Sequence, residues 1–152
     1  LIDEREQRIA NLAAIDTGTL NAWTITFNGE RALTPNLAIP DNNTTGVTST
    51  MNVAQNGTVA WVKVKVGITH TFQGDLEVAL IGPDGTTVLL HNRTGGGTDN
   101  INTEYPDLTV PAQSLSVFTG KAINGAWKLR VRDLAAADIG TLNSWTLSLG
   151  AQ

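Results

Sequence analysis

Val62, Val64 and Val66 alternate with Lys63 and Lys65, so one side of that stretch is apolar and the other charged. Successive side chains of a strand point to opposite faces, and this pattern predicts a strand with one buried and one wet side, as in an antiparallel sheet. The same period recurs in Trp127, Leu129 and Val131 against Lys128, Arg130 and Arg132, and in Trp145, Leu147 and Leu149 against Ser144, Thr146 and Ser148. Asp75 to Ile81 and Thr86 to His91 flank Gly82-Pro83-Asp84-Gly85. Proline presets φ there and glycine supplies a positive φ, so the two stretches predict a hairpin. Further strands are expected over 48–53, 58–66 and 113–118, the first two joined through Asn56-Gly57, a strong hairpin signal. Residues 92–111, rich in Gly, Asn and Asp, predict a long loop poor in regular structure, a kind of segment that is often functional. About eight short antiparallel strands with these turns predict an all-β fold, a jelly-roll β-sandwich with an N-terminal extension.

A second pattern divides the chain. Leu12 to Phe27 recurs as Leu134 to Leu149, with 10 of 16 positions identical at an offset of 122. That period is too long for a solenoid unit and fits a small β-domain. The expected organisation is residues 1–30 as the tail of a preceding tandem copy, with an extra strand at 20–28, a linker at 31–36, and one domain over 37–152. Asp3 to Ala14 has local helical propensity with Asp3 as a possible N-cap, while the repeat register places Arg8 to Asn11 on a strand end, Arg130 to Asp133. Helix or irregular structure is expected over 3–10. Trp23, Ile25 and Phe27 form an apolar row whose exposure would forfeit about 1.5–3 kcal/mol per large side chain. The extra strand is therefore expected to pair with an edge of this domain or to exchange with another copy.

Composition narrows the function classes. A formal net charge of -4 argues against nucleic acid, which requires a basic patch. The rows Lys63/Lys65 and Lys128/Arg130/Arg132 read as solvated strand faces. No apolar run reaches the ~20 residues of a membrane span, so no membrane partner is expected. The chain has no cysteine, and hence neither disulfides nor thiolate metal sites.

Little catalytic chemistry is legible. A triad can be composed on paper from His70, Asp75 and a serine, but no Gly-x-Ser-x-Gly elbow occurs and His70 lies within a Thr-His-Thr strand end, which favours a structural, hydrogen-bonded histidine. The run Thr94-Gly95-Gly96-Gly97-Thr98 lacks the following lysine of a phosphate loop. Calcium is the more serious hypothesis, because Asp41, Asp75, Asp84, Asp99, Asp107, Asp133 and Asp138 fall at turns or strand ends. Asp41, Asp75 and Asp133 are the candidate ligands; the plainer alternative for Asp75 and Asp133 is capping of backbone N–H groups. No other cofactor is expected.

The motifs Ile39-Pro40-Asp41-Asn42, Thr69 to Leu76 and Gly82-Pro83-Asp84-Gly85-Thr86 resemble the P domain, or Homo B domain, of kexin- and furin-like proprotein convertases. The likeness continues through Phe118-Thr119-Gly120, Asn124 to Leu129, Asp133 and Gly140 to Leu147, and covers residues from about 37 to 150. It implies a non-catalytic jelly roll C-terminal to a subtilisin-like serine protease, secreted by a bacterium, with the catalytic domain as partner in cis and a tandem neighbour as another. No position matches the family's catalytic triad, which belongs to a separate domain. The alternative is a module binding carbohydrate or fibrous protein on a sheet face or on the 92–111 loop. Such platforms need exposed aromatics, and Trp61 is the candidate out of phase with its valines.

Overall fold

The computed structural model describes residues 28–152, and the expected helix over 3–10 and the row Trp23, Ile25 and Phe27 lie outside them. Two antiparallel sheets face each other. The first contains β1 (Asn28–Leu33), β2 (Leu37–Ile39), β4 (Val59–His70), β7 (Ile101–Tyr105) and β9 (Gly140–Ala151), in the order β1-β9-β4-β7 with β2 also against β9. The second contains β3 (Asn43–Val53), β5 (Leu76–Ile81), β6 (Thr87–Asn92) and β8 (Gly125–Asp133), in the order β3-β8-β5-β6. Nine strands among the described residues form the expected all-β sandwich.

The alternating rows point where their pattern predicts. Val62, Val64 and Val66 of β4, Trp127, Leu129 and Val131 of β8, and Leu142, Trp145, Leu147 and Leu149 of β9 are all buried in one core. Each tryptophan brings a polar N–H inside, which must find an acceptor. Trp127 Nε1 donates to the Ile123 carbonyl at 2.8 Å and Trp145 Nε1 to Ser49 Oγ at 2.9 Å. A register shift where β4 passes Asn143 lets both Leu142 and Trp145 face inward. On the outer side of the second sheet, Glu77 of β5 lies 3.4 Å from Arg130 and 3.6 Å from Arg132, so this basic row is met by a carboxylate from the neighbouring strand.

The hairpin across residues 82–85 forms as expected: β5 and β6 pair, and Asp84 Oδ1 accepts from Thr86 N at 2.9 Å. Five elements differ from expectation. The Asn56-Gly57 turn makes no hairpin, because β3 and β4 belong to different sheets and the turn carries the chain across the sandwich. Residues 113–118 form no strand; Ser114 Oγ accepts from Ser116 N and opens a 3-10 turn at Leu115–Phe118. The preceding Ala112 and Gln113 amides bond the Leu90 and Leu89 carbonyls, covering the open edge of β6. Within 92–111 lies β7, a five-residue edge strand too short to register as a pattern. Finally, β1 and β2 form in the aperiodic stretch 30–40 as successive pieces of an edge beside β9. Of the strand expected over 20–28, Asn28 is described, and it opens β1 opposite Gly150.

Leu129 is fully buried whereas Thr50 is exposed on the outer face of β3. In urea denaturation Leu129→Ala is expected to cost about 2–5 kcal/mol, and Thr50→Ala to stay within about 0.5 kcal/mol of the parent.

Candidate functional site

The candidate residues gather at the end of the sandwich where β4 and β8 finish. His70, the last residue of β4, and Asp133, the last of β8, are both wholly buried, with His70 Nε2 3.1 Å from Asp133 Oδ2. The other ring nitrogen accepts from the Phe72 backbone N–H at 3.1 Å. Since Nδ1 is occupied as an acceptor, the ring hydrogen is on Nε2 and is donated to Asp133. Asp133 Oδ1 accepts from Ala135 N at 3.2 Å, the turn-capping role foreseen for it. The ring reaches this position because β9 begins with Gly140; a Cβ there would lie 2.5 Å from His70 Cδ2 and from the Thr69 carbonyl.

This arrangement cannot act as the base of a triad. Both nitrogens of His70 are committed, no hydroxyl group is among their partners, and the acid it meets is Asp133, 63 residues away, rather than Asp75. The pairing was beyond sequence reasoning, which marked each residue separately as a strand end.

The expected calcium ligands are distributed as follows. Asp75 lies in a 3-10 turn at Gln73–Asp75 and its backbone carbonyl accepts from Leu134 N at 2.9 Å. Asp41, in the turn after β2, has Oδ2 3.4 Å from Ala137 N. Asp138 accepts from Thr71 Oγ1 at 2.5 Å. Thus the connection from β8 to β9 is held from three sides. Elsewhere, Asp84 pairs with Lys121 at 2.8 Å and Asp107 with Lys63 at 2.5 Å. Among the described residues no group of three or more His, Asp or Glu side chains is arranged to hold a metal ion.

Asp75 is the strained member of this end. Burial, followed by repulsion from Asp133 and Asp138, raises its carboxyl above the usual carboxylate range. The folded state then holds a proton at pH values where the unfolded chain has released it. This contribution to stability is full in acid and is lost as pH rises through the raised value.

A second feature is apolar. Trp61 leaves the phase of its valines and lies outward over Gly150, where a Cβ would come within 2.1 Å of its Nε1, with Lys63 Nζ 5.4 Å from the ring centroid. Trp61, Val62, Pro106, Val110, Pro111 and Leu115 line a groove of about 450 Å³. Val110 is 85% exposed at this groove, and Val117, on the adjoining turn, is 51% exposed.

A family model described as the proprotein convertase P-domain matches residues 59–149. The chain is 42% identical over 117 residues to leupeptin-inactivating enzyme 1 of Streptomyces exfoliatus, a match covering 76% of this chain and 25% of that protein. It is 36% identical over 130 residues to the transglutaminase-activating metalloprotease of Streptomyces mobaraensis, covering 83% of this chain and 16% of that one. The crystal structure of an Aeromonas sobria serine protease in complex with its chaperone superposes with a TM-score of 0.65 at 21% identity, over 94% of this chain and 29% of that one. The chain thus spans a quarter or less of these curated relatives, while the structural match shows the shared fold.

Asp75→Asn removes the repelled charge and keeps the shape. It is expected to leave the domain at least as stable as the parent at pH 7, with the difference closing as the pH is lowered, by thermal unfolding across pH. A variant much less stable at pH 7 would show instead that the carboxylate is needed as an anion, as a cation ligand would be.

Proposed function

The chain belongs to the proprotein convertase P-domain family, and from that premise we propose that it is the non-catalytic accessory domain of an exported bacterial protease, supporting the stability of the catalytic domain to which it is joined. The observation that carries this reading is the commitment of His70: a fully buried histidine with both nitrogens spent on Asp133 and a backbone amide ties the sheets together and has nothing left for substrate. The matched region is a quarter or less of an enzyme and of a metalloprotease named among the relatives, which supports placing catalysis outside it.

A serine endopeptidase is the parent expected from the sequence; the relatives' names include a metalloprotease as well, and an accessory role serves either chemistry. The contact surface proposed for the catalytic domain is the apolar groove beside Trp61. Val110 and Val117 stand exposed next to it, and apolar surface of this kind is covered in a stable assembly.

The 152-residue chain assayed alone on casein is expected to show no hydrolysis. Val110→Asp should change its own stability by less than about 0.5 kcal/mol, because the side chain packs on little. In the parent protease the same change is expected to lower the melting temperature of the catalytic domain by about 4 °C or more. Hydrolysis by the chain alone, or a parent indifferent to both Val110→Asp and deletion of the domain, would refute the proposal.

A further inference from the structure

β6 and β7 are the edge strands of opposite sheets, and the loop 93–100 that joins them crosses the flank of the sandwich between them. Beneath it is a polar cavity of about 480 Å³, within the roughly 300–1,000 Å³ of small-molecule sites. Two lining side chains are more than nine-tenths buried, Tyr105 at 1% exposed and His91 at 8%.

Both keep unused hydrogen-bonding capacity. His91 Nε2 is 2.8 Å from the Gln73 carbonyl, which can only accept, so Nε2 carries the hydrogen and Nδ1 of the neutral ring is left as an acceptor. The Tyr105 hydroxyl has no protein partner among the described residues and is open to the solvent of the cavity. Burial pushes this phenol up to about 12, so it remains an O–H donor at neutral pH. Both atoms open on the cavity and are reached by solvent there, so a ligand that occupies the cavity must replace the hydrogen bonds it displaces. The floor is fixed, since Gln73 Nε2 donates to the Asn100 carbonyl. Thr103 and Thr109 hydroxyls bond each other at 2.6 Å with either as donor, and so can present a donor or an acceptor to the cavity. Asp99 stands exposed at the rim.

The required ligand chemistry follows from these groups. A cationic group would answer His91 Nδ1 and Asp99 but offers no acceptor to the Tyr105 hydroxyl. An anion would answer Tyr105 but face the Asp99 carboxylate and leave Nδ1 unmet. A group of neutral hydroxyls donates and accepts at every position. The cavity wall offers the side chains of Tyr105, His91, Thr103 and Thr109 as donors and acceptors, which a hydroxyl-rich molecule can meet. We propose that the cavity between β6 and β7 is a saccharide-binding site for one or two neutral sugar units, with Tyr105 and His91 as its buried recognition groups. This assigns a role to the 92–111 loop that is separate from support of a catalytic domain.

The test is a two-dimensional amide NMR titration of the 152-residue chain with glucose, N-acetylglucosamine and cellobiose. At least one is expected to shift the amides of residues 101–105 saturably in the millimolar range. Tyr105→Phe keeps the ring and removes only the hydroxyl, and it should weaken that binding about tenfold while leaving the spectrum folded. His91→Gln provides a second variant with an expected loss of the same order. No saturable shift with any of the three sugars would overturn the proposal, as would undiminished binding by both variants. Saturation of the same amides by arginine or by a short peptide in place of sugars would also overturn it and reassign the cavity.

Discussion

The hydrogen bond from His70 to Asp133 joins the two sheets at the end where β4 and β8 finish, and much of the surrounding architecture depends on it. Both side chains are inaccessible to water, so neither can replace a lost partner with solvent. The Phe72 amide fixes the ring's tautomer, Ala135 N–H shares the carboxylate, and Gly140 leaves room for the ring. With that end closed, Asp75 is buried and placed beside two other carboxylates, and burial first, then their repulsion, raises its carboxyl. The connection into β9 then starts from a fixed point, and β9 in turn carries Trp145, Leu147 and Leu149 into the core between β4 and β1.

Three surfaces of this sandwich have different chemistry. The His70 end is closed and self-satisfied, which suits a structural role. The groove at Trp61 is apolar and partly open, which suits a protein neighbour. The flank between β6 and β7 is polar and keeps hydrogen-bonding groups of Tyr105 and His91 free of protein partners, which suits a small neutral ligand. An accessory domain built this way can stabilise a catalytic domain through one surface and contact glycan through another, since the residues concerned do not overlap.

The core was legible in the sequence because strand period and burial coincide: Val62, Val64 and Val66 and the rows on β8 and β9 point where their alternation places them. The β5–β6 hairpin was legible because its turn residues act locally. What local pattern could not show was partnership between distant segments. Asn56-Gly57 has the chemistry of a hairpin turn, yet which sheet the chain enters next is set by the packing of both sheets. β1, β2 and β7 are edges, and their short, mixed sequences are held by pairing with β9 and β4 rather than by periodicity. Likewise, Asp75 was singled out as a ligand or cap from its turn position, whereas its environment depends on Asp133 and Asp138, far along the chain. The polar cavity was foreseen only as a loop; its recognition groups lie on β6 and β7, which flank it.

The central claim is that His70 serves as a fixed structural tie between the sheets. Long-range proton–nitrogen correlation of the imidazole rings tests it most directly in the folded domain at neutral pH. The account predicts a single neutral tautomer for His70 with hydrogen on Nε2, whose resonance moves when Asp133 is changed to Asn while Nδ1 remains unprotonated. A hydrogen on Nδ1, or a His70 ring in exchange between tautomers and open to solvent, would contradict it.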